Sequence, residues 1–446
     1  MSVAVAAVDF GASSIRVCRV ELDDGAPQLD VVHRHEHHAR RDRDGVLRWD
    51  WATLLAETER GLALTLERGP LASIGVDTWG VDYGLLDARG ALLEPPVSYR
   101  DPRTEPAWRG VVERIGPERL YAISGLQLLA FNTIFQLAAH DREQLAVAAR
   151  VVMLPELVVQ HLTGAITAET TSAGTTGLLD LGTGDWSDEL CAAIDLPRRV
   201  LPEIVPSGTR VGAWCGVPVH LVGGHDTASA VLAGSAPRHA FVSSGTWSLA
   251  GREQPQPDTS EAARRAGFSN EQALPTGIRL LRNVTGWWLV EECRRVWGGP
   301  PLAALLAEAA VAPPTDAFDV TADRFLAPED MPREIASACA LPAGASRGQI
   351  VRAAIESMAA ATISVVESLP EQEDVASCSG MRVFGGGARA PIFLDALRAR
   401  TALPVSVGPA EATALGNALV QGCAVGAYAS LDEARATLLA LGEGDR

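Results

Sequence analysis

Two short stretches, VGGHDTASA at Val222–Ala230 and FVSSGTWSL at Phe241–Leu249, decide how the chain is interpreted. In the first, the apolar run Val217–Val222 predicts a strand that ends in two glycines and presents Asp226. In the second, an apolar run predicts a strand that enters the turn Ser244–Thr246. Phosphoryl transfer needs such a pairing, because a carboxylate orients the nucleophile and a turn of small residues binds phosphate.

Asp226 has two interpretations. As a catalytic group it would take the proton of a sugar hydroxyl, while the turn Ser244–Thr246 binds the phosphate of a nucleotide. As a structural group it would be the N-cap of a helix over Thr227–Leu232. The motifs described below favour the catalytic interpretation.

Composition and charge limit the class of protein. A chain of 446 residues is too long for one core, and we expect two domains, residues 1–235 and 236–446. No apolar run reaches the length of a membrane span, and the segment MSVAVAAVDF lacks the basic region of a signal peptide. The net charge of −17 disfavours a nucleic-acid partner. We therefore expect a cytoplasmic protein, monomer or homodimer, without nucleic-acid or membrane partners.

The seven cysteines are scattered and form no C-x-x-C pair. Most have apolar neighbours, so we expect buried reduced thiols in a cytosolic protein and no zinc site.

The N-terminus predicts a hairpin that resembles the second of the two deciding stretches. Strands over Val3–Val8 and Ile15–Glu21 flank the turn Asp9–Ser14, whose small residues leave backbone N–H groups free. Aligning Gly11 with Gly245 pairs Asp9 with Ser243, Ala12 with Thr246, and Ser14 with Ser248. The repeat predicts two similar α/β domains, each with a hairpin that binds phosphate. A chance match of two short hairpins is the alternative.

The stretch His33–Asp44 contains four histidines, which raises the possibility of a metal site. Its alternation of polar residues with Arg and Asp is more typical of an exposed edge strand or loop. We therefore predict no metal here.

Polar residues follow two further predicted strands. Trp79 and Gly80 come after the strand Ala72–Val76, and Asn283 ends the strand Ile278–Asn283. Ligands of open α/β sheets bind at the carboxyl ends of strands, so these residues are candidates for sugar contacts. For Trp79 the alternative is a tight turn with a tryptophan in the core.

The stretch Gly125–Gln136 carries polar side chains among apolar residues. Buried amides need hydrogen-bond partners. The partners are either substrate hydroxyls or backbone groups.

Two glycine-containing stretches lie in the C-terminal half. Gly385–Gly387 follows a short strand and lets the backbone approach a flat ligand, although it matches neither a dinucleotide fingerprint nor a Walker A loop. Pro409–Gly426 predicts a helix of small residues whose default role is close helix packing. On the helix Trp287–Trp297, Glu291 shares a face with Arg295, which favours a surface ion pair.

The sequence blocks together resemble the FGGY family of carbohydrate kinases, within the superfamily of actin, hexokinase and Hsp70 ATPases. The blocks span positions 8 to 418 in the family's order, and DTWGVD and FNT favour the members that act on L-rhamnulose. They are VDFGASSIR, SIGVDTWGVDYGLLD, YRDPRT, SGLQLLAFNT, HDTASAV, SSGTWSL, RNVTGWWL, FGGGA and GPAEATALGNA.

The resemblance implies two RNase-H-like α/β domains around a deep cleft, and ATP-dependent phosphorylation of L-rhamnulose at O1. By position in the motifs, Asp226 falls on the catalytic base of the family. The ATP-binding positions are Ala12, Ser13, Ser14, Ile15, Arg16, Thr246, Glu291 and Gly386. The substrate-binding positions are Gly80, His225, Asp226, Thr227 and Asn283. Mg²⁺ is expected as a cofactor, with Asp9 as its candidate ligand through water.

The chain departs from the family pattern at two of these positions. Ile15 replaces a common Gly and stiffens the first hairpin. Glu291 replaces a common Gln, and a carboxylate is less favourable near phosphate. Arg16 would add positive charge for phosphate, with an exposed strand arginine as the alternative.

Other functions remain open at this stage. A related kinase would act on L-fuculose or xylulose, which an ADP-release screen over ketoses distinguishes. A non-catalytic regulator would bind sugar or nucleotide without phosphate transfer. A filament-forming ATPase would leave the sugar-pocket blocks without a purpose.

Overall fold

The N-terminal apolar run forms a strand, as predicted, in a computed structural model that describes residues 3–23, 26–325, 328–371 and 375–442. This strand, Val3–Phe10, pairs antiparallel with Ser14–Leu22, from Val3 opposite Leu22 to Phe10 opposite Ile15. The first predicted hairpin is therefore confirmed.

The strands of the described residues are numbered in chain order. They are β1 (Val3–Phe10), β2 (Ser14–Leu22), β3 (Gln28–Glu36), β4 (Arg40–Arg41), β5 (Leu47–Arg48), β6 (Ser73–Thr78), β7 (Tyr83–Leu86), β8 (Arg150–Met153), β9 (Ala168–Glu169), β10 (Leu179–Asp180), β11 (Asp185–Trp186), β12 (Ile204–Val205), β13 (Arg210–Trp214), β14 (Val217–His220), β15 (His239–Ser244), β16 (Trp247–Gln254), β17 (Ser269–Gln272), β18 (Ile278–Thr285), β19 (Gly380–Phe384) and β20 (Val405–Val407).

The α-helices are numbered in the same way. They are α1 (Trp51–Glu67), α2 (Thr104–Ile115), α3 (Pro117–Ser124), α4 (Thr133–Ala138), α5 (Arg142–Val147), α6 (Leu154–Thr163), α7 (Thr170–Ala173), α8 (Asp188–Ala193), α9 (Asp226–Gly234), α10 (Glu261–Arg265), α11 (Trp288–Val296), α12 (Leu302–Ala310), α13 (Met331–Ala338), α14 (Arg347–Glu367), α15 (Pro391–Arg398), α16 (Ala412–Ala424) and α17 (Leu431–Gly442). Short 3₁₀ helices cover Arg198–Val200, Asp323–Phe325 and Gly386–Arg389.

The first sheet contains six strands in the order β13-β14-β6-β1-β2-β3. Strand β1 pairs antiparallel with β2 and parallel with β6, and β6 pairs parallel with β14. The parallel pairing of β1, β6 and β14 brings their carboxyl ends to one edge of the sheet. The loops that follow these strands carry the residues singled out as candidates.

The second sheet has the order β17-β18-β16-β15-β19-β20. Its hairpin, β15 with β16, is antiparallel, and β15 pairs parallel with β19, which pairs parallel with β20. The order β16-β15-β19-β20 therefore repeats the order β2-β1-β6-β14 of the first sheet. The second hairpin is confirmed, and the shared order matches the repeat expected from the sequence.

Both faces of β1 are buried, because helices cover the first sheet on each side. Ala4, Ala6, Val8 and Phe10 belong to a core that includes α1 and α6 residues. Val5 and Ala7 belong to a second core that includes α9 and α16 residues. A strand buried on both faces reads as a continuous apolar run, which is the pattern that the sequence showed.

The chain divides into two compact units. Unit one takes its described residues from Met1–Ala233, Gln254–Leu280 and Thr413–Arg446, and unit two from Gly234–Glu253 and Leu281–Ala412. Because the two units are discontinuous in sequence, they do not test the single domain boundary expected between residues 235 and 236, which stays a prediction. Segments far along the chain return to unit one.

Side chains and short turns define two further elements of unit one. Helix α1 begins at Trp51 and is capped by the side chain of Asp50. Strand β7 is followed by a turn after Asp87 and by a single bridge between Leu86 and Leu92.

All seven cysteines are reduced thiols, as expected. Cys18, Cys191 and Cys293 are buried, whereas Cys215 is exposed, so the expectation of burial holds only in part.

Helix α14 is the one described helix whose length and apolar composition would suit a membrane span. Of its most apolar 18-residue window, 72% is buried inside the protein. Ser346 caps its N-terminus in a capping box with Gln349. Its apolar surface therefore packs in the core of the protein.

Helices α9 and α16 of unit one pack closely through Gly416. A Cβ atom at this position would lie 1.8 Å from the backbone oxygen of Ser229 on α9. The close helix packing predicted for Pro409–Gly426 is therefore confirmed at Gly416.

We expect Gly416→Ala to destabilise the protein by roughly 1–3 kcal/mol, because the added methyl group would force the two helix backbones apart. Urea unfolding followed by circular dichroism measures the change. The matched control is Gly110→Ala on α2, where a Cβ would meet nothing within 4 Å. There the higher helix propensity of Ala should stabilise by up to ~1 kcal/mol. Equal stability of Gly416→Ala and the wild type would contradict the packing argument.

Candidate active site

Asp226 lies at the start of α9, after a loop that is hydrogen-bonded to the end of β6. The backbone N–H of Thr78 donates to the carbonyl oxygen of Gly224 at 2.9 Å, and Thr78 and His225 form a parallel bridge. This pairing extends the parallel sheet by one step. Asp226 is thereby held at the carboxyl edge of the first sheet, as the sequence predicted.

The alternative role of Asp226, as N-cap of a following helix, does not match the observed helix. Helix α9 begins at Asp226 itself, so the preceding residue is His225. The hydroxyl of Thr227 donates to Oδ1 of Asp226 at 3.1 Å. About a quarter of the Asp226 side chain is exposed, which leaves the carboxylate accessible to a ligand.

Burial raises the pKa of Asp226 above its ordinary value, and the His225 side chain and the Thr227 hydroxyl oppose this rise. A carboxylate with a raised pKa is a stronger base than a solvated one. The local environment therefore favours proton acceptance by Asp226.

Two further carboxylates lie on the neighbouring strands. Asp9 and Asp77 are partners in the parallel register of β1 and β6, and both are buried. Burial, with the charges of Asp9 and Asp226, raises the pKa of Asp77 well above its ordinary value. Asn417 opposes this rise by donating to Oδ2 of Asp77 at 2.6 Å. Asp77 directly follows the predicted strand Ala72–Val76, but it is not among the site residues predicted from the sequence.

The first hairpin presents a short tip of small residues. Ala12 is half-buried and Ser13 is exposed, whereas the side chains of Ser14 and Ile15 are buried. Ile15 belongs to the core beside α1, so a contact with ATP would have to use its backbone. Nη2 of Arg16 lies 3.1 Å from Oδ2 of Asp9. Arg16 is therefore a half-buried, paired residue, and the alternative of an exposed arginine is wrong.

His37 contacts the tip of this hairpin and was missed by the sequence analysis. Its backbone N–H donates to the oxygen of Ser13 at 3.0 Å, and its Nε2 lies 3.1 Å from the oxygen of Gly11. The ring packs against Trp49 and Trp79, at 5.4 and 5.5 Å between centroids. Burial lowers the pKa of His37 to about 4, so the neutral ring donates Nε2–H to Gly11.

The edge strand predicted within the histidine-rich stretch is confirmed. Strand β3 is the edge strand of the first sheet, and alternating side chains along it are exposed. His33 lies 2.7 Å from Oε2 of Glu57. In the part of the chain that the structure describes, no group of three His, Cys, Asp or Glu side chains could hold a metal ion.

Trp79 is a buried tryptophan in a tight turn, which was the second of its two interpretations. The N–H of Asp82 donates to the oxygen of Gly80 at 3.0 Å, and Trp79 packs in the core beside β1. Oδ2 of Asp82 accepts the indole N–H groups of Trp49 and Trp79 at 2.8 and 3.0 Å. Gly80 is half-buried at this turn, where a substrate contact remains a prediction.

Three polar side chains of the stretch Gly125–Gln136 have protein hydrogen-bond partners. Nε2 of Gln136 donates to Oδ1 of Asp82 at 3.1 Å, and the Thr133 hydroxyl donates to the oxygen of Val81 at 2.7 Å. Nδ2 of Asn132 donates to the oxygen of Gln127 at 2.8 Å. Backbone oxygens, one of the two kinds of partner left open by the sequence, accept the hydrogen bonds of Asn132 and Thr133. Gln136 also donates to a side-chain carboxylate.

Two buried glutamates hold the loop before Asp226. Oε2 of Glu169 accepts the N–H of Gly224 at 3.0 Å and that of Thr171 at 2.8 Å, and Oε1 accepts the Ser207 hydroxyl. Glu156 lies beside Glu169 and accepts its N–H at 2.9 Å. No local pattern around positions 156 and 169 pointed to this role.

The environment of Glu156 favours its protonated form near neutral pH. Burial, together with the charge of Glu169, raises the pKa of Glu156 to about 8. Burial also raises the pKa of Glu169, but the N–H and O–H groups that donate to it oppose this rise and favour its ionised form.

In unit two, the tip of the second hairpin is bound to the start of α11. The N–H groups of Trp287 and Trp288 donate to the oxygens of Gly245 and Thr246, each at 3.1 Å. Nε1 of Trp287 donates to the hydroxyl oxygen of Ser244 at 3.0 Å. Thr246, a predicted ATP contact, therefore sits on a hairpin tip with a fixed backbone.

The three consecutive glycines of unit two differ in their surroundings. A Cβ at Gly387 would lie 2.1 Å from both Oγ of Ser244 and Nε1 of Trp287, and Gly385 has a φ of 85°. A Cβ at Gly386 would meet nothing within 4 Å. The flanking glycines are thus required by packing and backbone conformation, and Gly386 is open to a ligand.

Asn283 and Glu291 also lie in unit two. Asn283 is half-buried two residues before the end of β18 rather than at its last residue. Glu291 forms its ion pair with Arg294, at 2.6 Å between Oε2 and Nη1, whereas Arg295 pairs with Glu292. The predicted ion pair between Glu291 and Arg295 is therefore wrong, because Glu291 pairs with the arginine three residues further along the helix and not with the one four residues further.

We expect Glu156→Gln to remove a pH dependence of stability. The unfolded glutamate loses its proton near pH 4.5 and the folded one near pH 8. Between these values the folded state binds more protons than the unfolded state. As the pH rises, the free energy of unfolding of the wild type should therefore fall relative to that of the variant, by on the order of 1 kcal/mol per pH unit. Urea unfolding at pH 5.5, 6.5 and 7.5 measures this.

The control for this series is Glu105→Gln, which removes an exposed carboxylate of α2. Its free energy of unfolding should run parallel to that of the wild type. Parallel curves for Glu156→Gln as well would show that Glu156 does not carry the buried proton.

Comparisons with known proteins identify the family. The N-terminal domain model of the FGGY family of carbohydrate kinases matches residues 4–233, and the C-terminal domain model matches residues 240–425. A protein from Enterococcus faecalis named rhamnulokinase is 35% identical over 96% of this chain and 91% of its own length. One of the same name from Bacteroides thetaiotaomicron is 35% identical over 94% and 90%.

A solved structure supports the fold. The gluconate kinase of Lactobacillus acidophilus aligns with a TM-score of 0.80 at 16% identity, over 98% of this chain and 92% of that one. The resemblance and the α/β fold inferred from the sequence are both confirmed. The chain belongs to the FGGY family of carbohydrate kinases and is an ATP-dependent sugar kinase with the two-domain fold of actin and hexokinase.

Proposed function

We propose that this kinase transfers the γ-phosphoryl group of ATP to O1 of L-rhamnulose, giving L-rhamnulose 1-phosphate in L-rhamnose degradation. Asp226 carries the proposal: it is an accessible carboxylate with a raised pKa on a loop that is hydrogen-bonded from two sides. The relatives named rhamnulokinase support the choice of sugar, because their identity extends over more than nine-tenths of this chain.

Asp226 would act as the base of the reaction. In a loose transition state the hydroxyl proton leaves late, so the carboxylate mainly orients the sugar oxygen and collects the proton at the end. Burial favours this role, since it raises the proton affinity of Asp226. Most of the acceleration would come from positioning and from charge neutralisation around the phosphoryl group.

The sugar would be bound by residues next to this base. We assign Gly80, His225 and Thr227 of unit one to its hydroxyls, and Asn283 of unit two. His225 and Thr227 flank Asp226 in sequence, and the Thr227 hydroxyl already bonds to the Asp226 carboxylate. The indole of Trp79 is buried, so its part would be to support Gly80 from behind.

ATP would be bound by backbone amides of the two hairpin tips. In unit one we assign Ala12 to Arg16, with Ile15 acting through its backbone. In unit two we assign Thr246, Gly386 and, as a departure from the family pattern, Glu291. The ion pair with Arg294 offsets the charge of Glu291, which lessens its repulsion of phosphate.

Asp9 fits the requirements of a Mg²⁺ ligand. It offers a buried carboxylate beside Arg16, and Mg²⁺ is usually bound in proteins by one or two carboxylates together with waters and substrate phosphates. The described residues provide no cage of three ligating side chains, which agrees with such a sparse site. When bound, the ion would neutralise charge on the β- and γ-phosphates. Asp9 would hold its hydration shell in place.

The choice of sugar is tested by a coupled ADP-release assay with L-rhamnulose, L-fuculose and D-xylulose. We expect kcat/KM for L-rhamnulose to exceed the other two values by at least about tenfold, which is ~1.4 kcal/mol of transition-state binding. A faster reaction with another ketose would assign the enzyme to that sugar. Calorimetric binding without ADP release would favour a non-catalytic regulator.

The role of Asp226 is tested by Asp226→Asn, which keeps the shape of the side chain and removes its basicity. We expect kcat to fall by roughly 10²–10⁴-fold, the range for loss of a positioned base, with little change in the KM for ATP. Asp195→Asn replaces an exposed aspartate of the same unit and should keep wild-type kinetics. A folded Asp226→Asn enzyme with wild-type kcat would remove Asp226 from the reaction.

A further inference from the structure

A turn beside Gly80 holds a valine in an unfavourable backbone conformation. Val81 has a φ of 71°, and of the five non-glycine residues with positive φ in the part of the chain that the structure describes, it alone is β-branched. The N–H of Asp82 donates to the oxygen of Gly80 at 3.0 Å, across this single residue. A hydrogen bond between residues i and i+2 around a positive φ defines the rare, strained form of the γ-turn. Strained residues of this kind persist only where the surrounding structure holds them, and they are common at ligand sites.

Three side chains hold Val81 in this conformation. The Thr133 hydroxyl donates to the oxygen of Val81 at 2.7 Å, and Nε2 of Gln136 donates to the same oxygen at 3.1 Å. The N–H of Val81 donates to Oγ1 of Thr175 at 3.3 Å. Both backbone polar groups of the strained residue therefore have side-chain partners, which come from two segments distant in sequence.

The supporting threonines are themselves fixed. Thr133 is buried at the first residue of α4, and the N–H of Ile134 donates to the oxygen of Thr176 at 2.9 Å. The hydroxyl of Thr175 donates to the oxygen of Ser172 at 2.9 Å, so its oxygen is left to accept the N–H of the turn. Helix α4 and the segment after α7 are thus joined, and they hold the turn from two sides.

The orientation of Gly80 depends on this turn. Glycine has no side chain, so a contact with a sugar hydroxyl has to use its backbone groups. Gly80 is half-buried, and a Cβ at this position would lie 3.1–3.2 Å from side-chain atoms of Thr175. A relaxed Val81 would rotate the peptide groups on both of its sides, including the one that it shares with Gly80.

Given the proposed kinase reaction, on which this inference rests, we propose that the γ-turn Gly80–Asp82 is a preorganised part of the sugar site. Thr133, Gln136 and Thr175 are its positioning residues, because their hydrogen bonds offset the strain at Val81. The turn is ordered during folding, so a ketose that binds Gly80 does not have to order it. These residues thereby raise the affinity for the ketose without contacting it.

The first test is Thr133→Val in the full-length enzyme, which removes the hydroxyl and keeps the shape of the side chain. We expect the KM for the ketose to rise by about fivefold, the effect of one lost hydrogen bond, while kcat and the KM for ATP stay within about twofold of the wild type. Thr133→Ser keeps the hydroxyl and should retain the wild-type KM. An unchanged ketose KM in folded Thr133→Val, or an equal rise in the KM for ATP, would overturn the proposal.

The matched control is Thr65→Val on α1. Thr65 is also buried, and its hydroxyl donates to the backbone oxygen of Gly61 at 2.8 Å. Its loss should leave both KM values unchanged. Thr175→Val removes the acceptor on the other side of the turn and should repeat the result of Thr133→Val, so the test does not depend on the folding of one variant. A folded Thr175→Val enzyme with the wild-type ketose KM would also overturn the proposal.

The role of strain is tested by adding Val81→Gly to Thr133→Val. Glycine adopts a positive φ without steric cost, so the turn needs less support. We expect the ketose KM of the double variant to be at least about twofold lower than that of Thr133→Val. An equal or higher KM would show that the hydroxyl does not act against strain at Val81.

Hydrogen exchange measured by mass spectrometry reports on the turn without any substrate. The N–H groups of Val81 and Asp82 are hydrogen-bonded in the wild type. They should exchange at least about tenfold faster in Thr133→Val and at the wild-type rate in Thr65→Val. Unchanged exchange in Thr133→Val would overturn this inference alone. Wild-type enzyme that releases ADP with no ketose would instead overturn the proposed function, and with it the sugar role of the turn.

Discussion

The position of Asp226 depends on hydrogen bonds that hold the backbone of Gly224 on both of its sides. Its N–H donates to the buried carboxyl group of Glu169, and its oxygen accepts the N–H of Thr78 at the end of β6. One bond ties the loop to an acidic pair below it, and the other ties it to the sheet. Because a reacting group must be placed within a fraction of an ångström, a loop of two glycines needs such fixed ends.

The same hairpin occurs in both units, but different partners support its tip. In unit one His37 binds the oxygens of Gly11 and Ser13, and its ring packs on the tryptophans around Asp82. In unit two the start of α11 binds the oxygens of Gly245 and Thr246. In each case protein donors occupy tip carbonyls, which are groups that would repel phosphate. The two tips therefore reach the same arrangement through different supporting residues.

Elements with a local pattern could be predicted from the sequence. The apolar runs before Asp9 and Ser243 gave both hairpins, and the glycines before His225 gave the loop that carries Asp226. Residues that act through distant partners had no such pattern. Glu156 and Glu169 come together with the loop only after folding, and each is ordinary among its sequence neighbours. The partner of Glu291 was misassigned because helix geometry permits both spacings and rotamers decide between them.

The return of α16 to unit one has a consequence for biosynthesis. Asn417 and Gln421 donate to Asp77 and to the oxygen of Ala6, so this helix covers the underside of a sheet made from the earliest strands. During translation those strands emerge more than three hundred residues before their cover. Until α16 is made, the first sheet of the nascent chain exposes an apolar face, and Asp77 lacks its amide partner Asn417. Because exposed apolar surface favours aggregation, the nascent first sheet is most vulnerable before α16 is made.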